Sequence, residues 1–198
     1  MSVAWFVDGS FAYKCTQNMG RIDYTRFRTE IEDDAKTPVD EAYFFNCDND
    51  PPSAAQSTFH RKLSRPYPDG PGLRVKLYWL QHKKLWWPQA LGGMPVMHPE
   101  QQDLQFEQTT QKGVDVGLAF HMMRSFSKRG WNKLYLVAGD GDFHEVIQHL
   151  VENENVRVTI FGNRNTISAE LAPYASVLYF DDIFHQIRAE HSDWESQS

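Results

Sequence analysis

Val3-Ala4-Trp5-Phe6-Val7 is apolar at every position, and Asp8-Gly9 closes it. A strand with no polar face must be covered on both sides, as strands are in parallel sheets packed between helices. Leu134-Tyr135-Leu136-Val137-Ala138 repeats the pattern and ends in Gly139-Asp140-Gly141-Asp142. Around these two runs the chain alternates between strand and helix patterns. Strands are expected at 3–7, 41–46, 73–80, 133–138, 156–161 and 177–180. Helices are expected at 23–35, 53–63, 114–128, 142–152, 167–174 and 181–190. The alternation predicts one α/β domain over residues 1–190, with a mainly parallel sheet and helices on both faces. Residues 191–198 read as a frayed tail.

Residues 83–111 do not fit this alternation. Gly92-Gly93 between Leu85-Trp86-Trp87 and Met94-Pro95-Val96-Met97 predicts an irregular hairpin, and 101–111 reads as polar and extended. A loop this long in a compact domain is usually functional or disordered, and its aromatic content argues against disorder. It is expected to lie over the strand ends. Charge adds a second irregularity. The chain carries a net −6, yet residues 57–88 hold seven Lys and Arg (Arg61, Lys62, Arg65, Arg74, Lys76, Lys83 and Lys84) against Asp69 alone. Such a segment suits either a phosphate-binding face or a solvated helix and hairpin.

The chain has no long apolar run and no charged-then-apolar leader, which predicts a cytoplasmic protein without membrane contact. Cys15 and Cys47 lack metal-ligand spacing and are expected as unpaired thiols. His144-Glu145 with His149 resembles a zinc-binding helix but has one residue too many. Five residues turn a helix by about 500°, so the two imidazoles diverge by roughly 140°.

The acids carry the chemistry. Asp8 closes the first strand, Asp140 and Asp142 close the fourth, and Asp115 opens the apolar helix between them. Each alone reads as a turn or helix-cap residue. Together they come from separate strand–helix junctions to one sheet edge, where open α/β sheets bind ligands. Crowded carboxylates repel, and a hard divalent cation holds such a group together.

Three segments resemble the LabA-like NYN domains of the PIN-like nuclease superfamily. They are Phe6-Val7-Asp8-Gly9-Ser10, Lys112-Gly113-Val114-Asp115-Val116-Gly117-Leu118-Ala119 and Leu136-Val137-Ala138-Gly139-Asp140-Gly141-Asp142-Phe143, followed by Ser168-Ala169-Glu170-Leu171. The resemblance implies strand order 3-2-1-4-5, a Mg²⁺ or Mn²⁺ site at Asp8, Asp115, Asp140 and Asp142, and ribonuclease-type activity. Phe11, His121 and Ala138 stand where the family often has Asn, Asp and Ser.

The expected function is a metal-dependent endoribonuclease acting on single-stranded or looped RNA, with self-association left open. Substrate contacts are expected from Lys112, Arg61, Lys62, Arg65, Lys83 and Lys84. Tyr78, Trp79, Trp86 and Trp87 are candidates for stacking on unpaired bases or for packing within the hairpin. His121 reads as a packed histidine. Two rival readings are a non-catalytic RNA- or protein-binding module, and a phosphatase for a small metabolite, which the basic segment disfavours.

Overall fold

The structure is a computed structural model describing residues 2–101 and 103–190; the tail at 191–198 lies outside the described residues. The chain begins with β1 (Val3–Asp8), α1 (Gly9–Thr16), α2 (Tyr24–Ala35), β2 (Val39–Asp48) and α3 (Ala54–Leu63). It continues through β3 (Arg74–Trp79), β4 (Gln81–Lys84), β5 (Glu107–Thr110) and α4 (Val114–Arg129). It closes with β6 (Lys133–Val137), α5 (His144–Glu152), β7 (Arg157–Gly162), β8 (Ala175–Tyr179) and α6 (Phe180–Ile187).

Six strands form one sheet in the order β3-β2-β1-β6-β7-β8, and every neighbouring pair is parallel. Counted within the sheet, this is the expected 3-2-1-4-5 order extended by β8 at the edge. β1 is central because of its composition. Val3, Trp5 and Val7 enter one apolar layer, Ala4 and Phe6 enter the other, and all five are fully buried. The first layer is closed by Phe27 and Ile31 of α2 and by Phe180, Phe184 and Ile187 of α6. The second is closed by Leu118 and Met122 of α4 and by Ile147 and Leu150 of α5. Phe27 packs edge-on against Trp5 at 5.3 Å, and Phe6 stacks on Tyr43 at 4.9 Å. Burying each such ring contributes about 1.5–3 kcal/mol.

Ser53 caps α3 with a full capping box to Gln56, as its position suggested. The structure departs from expectation in two places. α1 is an additional helix starting directly at Asp8. Residues 167–174 form successive turns, not a helix. The Ser168 N–H there bonds the Gly139 carbonyl (2.8 Å), and Pro173 has no N–H to give.

The excursion is a hairpin. β4 pairs antiparallel with β5, and isolated bridges join Trp86 to Pro95 and Met97 to Gln105. Both cysteines are buried and free. Among the described residues, no helix is long and apolar enough to cross a membrane.

Candidate active site

The strand order reverses between β1 and β6, and the four acids gather outside the carboxyl ends of these strands. Val7 pairs with Val137, so Asp8 leaves the sheet beside the loop that carries Asp140. Asp8 ends β1 and also caps α1. Its Oδ1 accepts the N–H groups of Ser10 (2.9 Å) and Phe11 (3.1 Å), and among the described residues no donor reaches Oδ2. Asp140 repeats this arrangement after β6: its Oδ1 accepts the Asp142 N–H (3.1 Å), and among the described residues no donor reaches its second oxygen. One residue thus ends a strand, starts a helical turn and presents a carboxylate oxygen to the crevice.

Asp115 stands in the first turn of α4. The start of that helix is set by Tyr78 at the end of β3, whose hydroxyl lies 1.7 Å from where a Cβ on Gly117 would stand. Only glycine admits the tyrosine there. Gly139 serves the Asp140 loop in the same way. A Cβ there would meet the Thr166 carbonyl at 2.3 Å and the Phe11 ring at 2.7 Å.

Burial raises the Asp8 carboxyl above its ordinary pKa, and the charge of Asp115 adds to the rise, against the two backbone N–H bonds. Burial also raises Asp115, and the charges of Asp140 and Asp142 raise it further. Asp8 therefore feels the charge of Asp115, and Asp115 feels the charges of the Asp140 loop. Among the described residues, however, no three His, Cys, Asp or Glu side chains converge closely enough to form a ready-made metal cage. Free, mutually repelled carboxylate oxygens without a closed cage suit a hydrated hard cation, because Mg²⁺ keeps several waters and takes one or two carboxylates directly.

Two residues were not singled out from the sequence. Lys14 on α1 lowers the pKa of both Asp8 and Asp115, so it is a cation at the cluster. Glu170 brings Oε2 to 2.7 Å from where a Cβ on Gly141 would stand, placing a further carboxylate beside the Asp140 loop. The Ser168-Ala169-Glu170-Leu171 segment was a visible signal for Glu170. Lys14 lay on the unanticipated α1.

The basic residues expected at the substrate divide between two regions. Lys112 directly precedes the Gly113 cap of α4 and is exposed. Lys83 and Lys84 are exposed on β4, and the base of that hairpin is tied to the acid edge by a reciprocal Ser10–Gln111 side-chain pair (2.9 and 3.0 Å). Arg61 and Lys62 lie in the last turn of α3, and Arg65 follows it. There the Leu73 N–H bonds the Leu63 carbonyl (2.9 Å), at the N-terminal end of β3, so these three stand at the other end of the strands from the acids.

Phe11 fills the space beside Gly139 and Gly162. His121 packs against the Tyr43 and Phe45 rings at 5.7 and 5.6 Å, as its position on an apolar helix suggested. Trp86 and Trp87 are half-exposed on the hairpin.

A family model described as NYN domain matches residues 2–182. The crystal structure of a protein of unknown function from Vibrio parahaemolyticus aligns with a TM-score of 0.62 at 20% identity, covering 91% of this chain and 93% of that one. At that identity the likeness concerns the fold. No match is found among curated proteins.

Proposed function

The chain belongs to the NYN domain family, a PIN-like nuclease family, and from that premise we propose that it is a Mg²⁺- or Mn²⁺-dependent endoribonuclease of the LabA-like kind. The observation that carries the reading is the meeting of acids from separate strand–helix junctions at one switch point, where the charge of Asp115 adds to the rise of Asp8 and the charges of Asp140 and Asp142 add to the rise of Asp115. Bound there, the cation would supply a water of lowered pKa and screen the charge developing on phosphorus.

The chain's own residues do the rest. Asp8 and Asp140 offer their free oxygens as direct ligands. Asp115 and Asp142 act directly or through metal-bound water, with Glu170 beside them. Lys14 offsets part of the negative charge when the site is empty of substrate. Ser10, Gln111 and Lys112 line the approach to the acids, and Lys83 and Lys84 hold phosphates along the hairpin. Trp86 and Trp87 offer ring faces on which unpaired bases stack, which favours single-stranded or looped RNA. Arg61, Lys62 and Arg65 stand too far from the acids to touch the scissile phosphate and would meet only a longer substrate.

A second reading, a non-catalytic RNA-binding module, is favoured by Phe11 and His121. The first is an aromatic plug where the family often has a polar side chain, and the second is packed away from the crevice. One experiment separates the readings: a pool of single-stranded and hairpin RNAs incubated with Mn²⁺ or with chelator. The expected result is Mn²⁺-dependent cleavage that Asp140→Asn lowers by about 100-fold or more without changing the circular dichroism spectrum. Full activity in the variant contradicts the assignment. RNA binding without cleavage selects the second reading.

A further inference from the structure

At the far end of α4 from Asp115, this helix and the β2–β3 edge enclose a recess of about 280 Å³. At its base lies Glu41, buried on β2. Its Oε2 accepts from Arg74 Nη1 (2.6 Å) and from the Tyr43 hydroxyl (2.9 Å), and its Oε1 faces Arg129 Nε at 3.4 Å. The buried carboxylate holds two guanidinium groups in place while their side chains stay 53% and 64% exposed. Lys76, Arg124 and Lys128 also line the recess, and none of them makes an ion pair among the described residues.

Five permanent cations thus surround one carboxylate in a concave site on an acidic protein. Such an excess focuses positive potential and draws in an anion. The helix dipole accounts for Lys128 and Arg129 in the last turn of α4. It does not account for Lys76 on β3 or for an Arg74 clamped by a buried acid. Burial lowers the pKa of the histidine in this recess, His121, and the charges of Lys76 and Arg124 lower it further.

The recess is also connected to the acid edge. Arg74, Lys76 and Tyr78 are alternate residues of β3 and share one face. The row ends where Tyr78 packs on Gly117, next to Asp115. Along α4, Arg124 lies about 14 Å and Lys128 about 20 Å from Asp115. These are spacings that a few nucleotides of a single strand span.

We propose that this recess binds backbone phosphates of the single-stranded RNA whose scissile bond lies at the acid edge. The inference rests on the RNA reading of that edge but not on turnover. Its test is therefore equilibrium binding in chelator, where cleavage is silent. A fluorescein-labelled oligouridylate of about 20 nucleotides is titrated by anisotropy across a salt series. The variant Lys76→Gln/Arg124→Gln/Lys128→Gln leaves the Glu41 clamp intact.

The slope of log affinity against log salt is expected to fall by about 2 in magnitude, since each single-strand phosphate contact contributes about 0.7. Asp140→Asn is expected to keep the wild-type slope. If the triple variant fails to fold, Arg124→Gln and Lys128→Gln singly should each remove about 0.7. An unchanged slope in a folded variant overturns the proposal and leaves the cleavage reading standing. Absence of oligouridylate binding by the wild type, or binding of pyrophosphate in its place, overturns it too. A reduced slope in a protein that never cleaves RNA supports the recess and removes the nuclease reading.

Discussion

The first turn of α4 presents Asp115 to three other carboxylates, and its last two turns present Arg124, Lys128 and Arg129 to a single buried glutamate. Neither end balances its own charge. Asp8 and Asp115 at the first end are pushed towards protonation, and His121 at the other end is pushed away from it. On the proposed reading, a divalent cation would relieve the first end and a polyanion the second, and an RNA strand with its metal would supply both. The net charge of −6 conceals this separation. What bears on function is where the charges stand, and a protein acidic overall can still offer a cationic track.

The comparison breaks most visibly if the acid edge tolerates looser packing than it shows. Gly139→Ala places a Cβ against the Thr166 backbone and the Phe11 ring. Backbone cannot rotate away as a flexible side chain does, so the cost is about 1–3 kcal/mol, read as a shift in the urea midpoint. Mn²⁺-dependent cleavage should fall with it, because the loop that moves carries Asp140. At the recess, Lys128→Ala changes an exposed side chain that makes no ion pair among the described residues and should stay within about 0.5 kcal/mol of wild type. Equal effects at the two positions would erase the contrast between a tightly packed edge and an open recess.

A smaller effect sharpens the comparison through pH. His121 faces Lys76 and Arg124, with Tyr43 beside it and Glu41 and Arg74 in the same recess. Its folded pKa lies below the unfolded value of about 6.5, so the unfolded chain binds the proton more readily. Its contribution to stability is fully present above that value and is lost as pH falls through the window down to the lowered pKa. His121→Phe, which keeps the ring packing on Tyr43 and Phe45, should flatten this part of the stability profile, an effect smaller than that of Gly139→Ala. The acid edge has the opposite sign. Asp8 and Asp115 are raised from 3.8, so in chelator their contribution improves as pH falls from the raised values towards 3.8. A stability profile unchanged in His121→Phe would remove the recess's half of the contrast.

The acid edge was legible in the sequence because each acid directly follows or opens an apolar run whose periodicity is plain. α1 was not legible, because its eight residues begin with glycine and depend on two N–H bonds to Asp8 for their start. The 167–174 segment read as a helix in the strand–helix alternation, but the Ser168 N–H is recruited by the Gly139 carbonyl. The recess was illegible for a different reason. Its cations come from positions 74, 76, 124, 128 and 129, which only the packing of α4 against the sheet edge brings together. A linear count grouped Arg74 and Lys76 with Arg61, Lys62 and Arg65, whose helix packs on the opposite layer through Leu63.

The central claim is that Asp8, Asp115, Asp140 and Asp142 act as one cation site. Thermal melts of wild type and Asp140→Asn, with millimolar Mn²⁺ and with chelator at fixed pH and ionic strength, test it without requiring turnover. Mn²⁺ should raise the wild-type melting temperature by mass action. The variant, with one repelling charge fewer, should melt higher than wild type in chelator and gain less from Mn²⁺. A wild type with no Mn²⁺ shift, together with a variant no more stable in chelator, would contradict the shared site and leave the nuclease proposal without its physical basis.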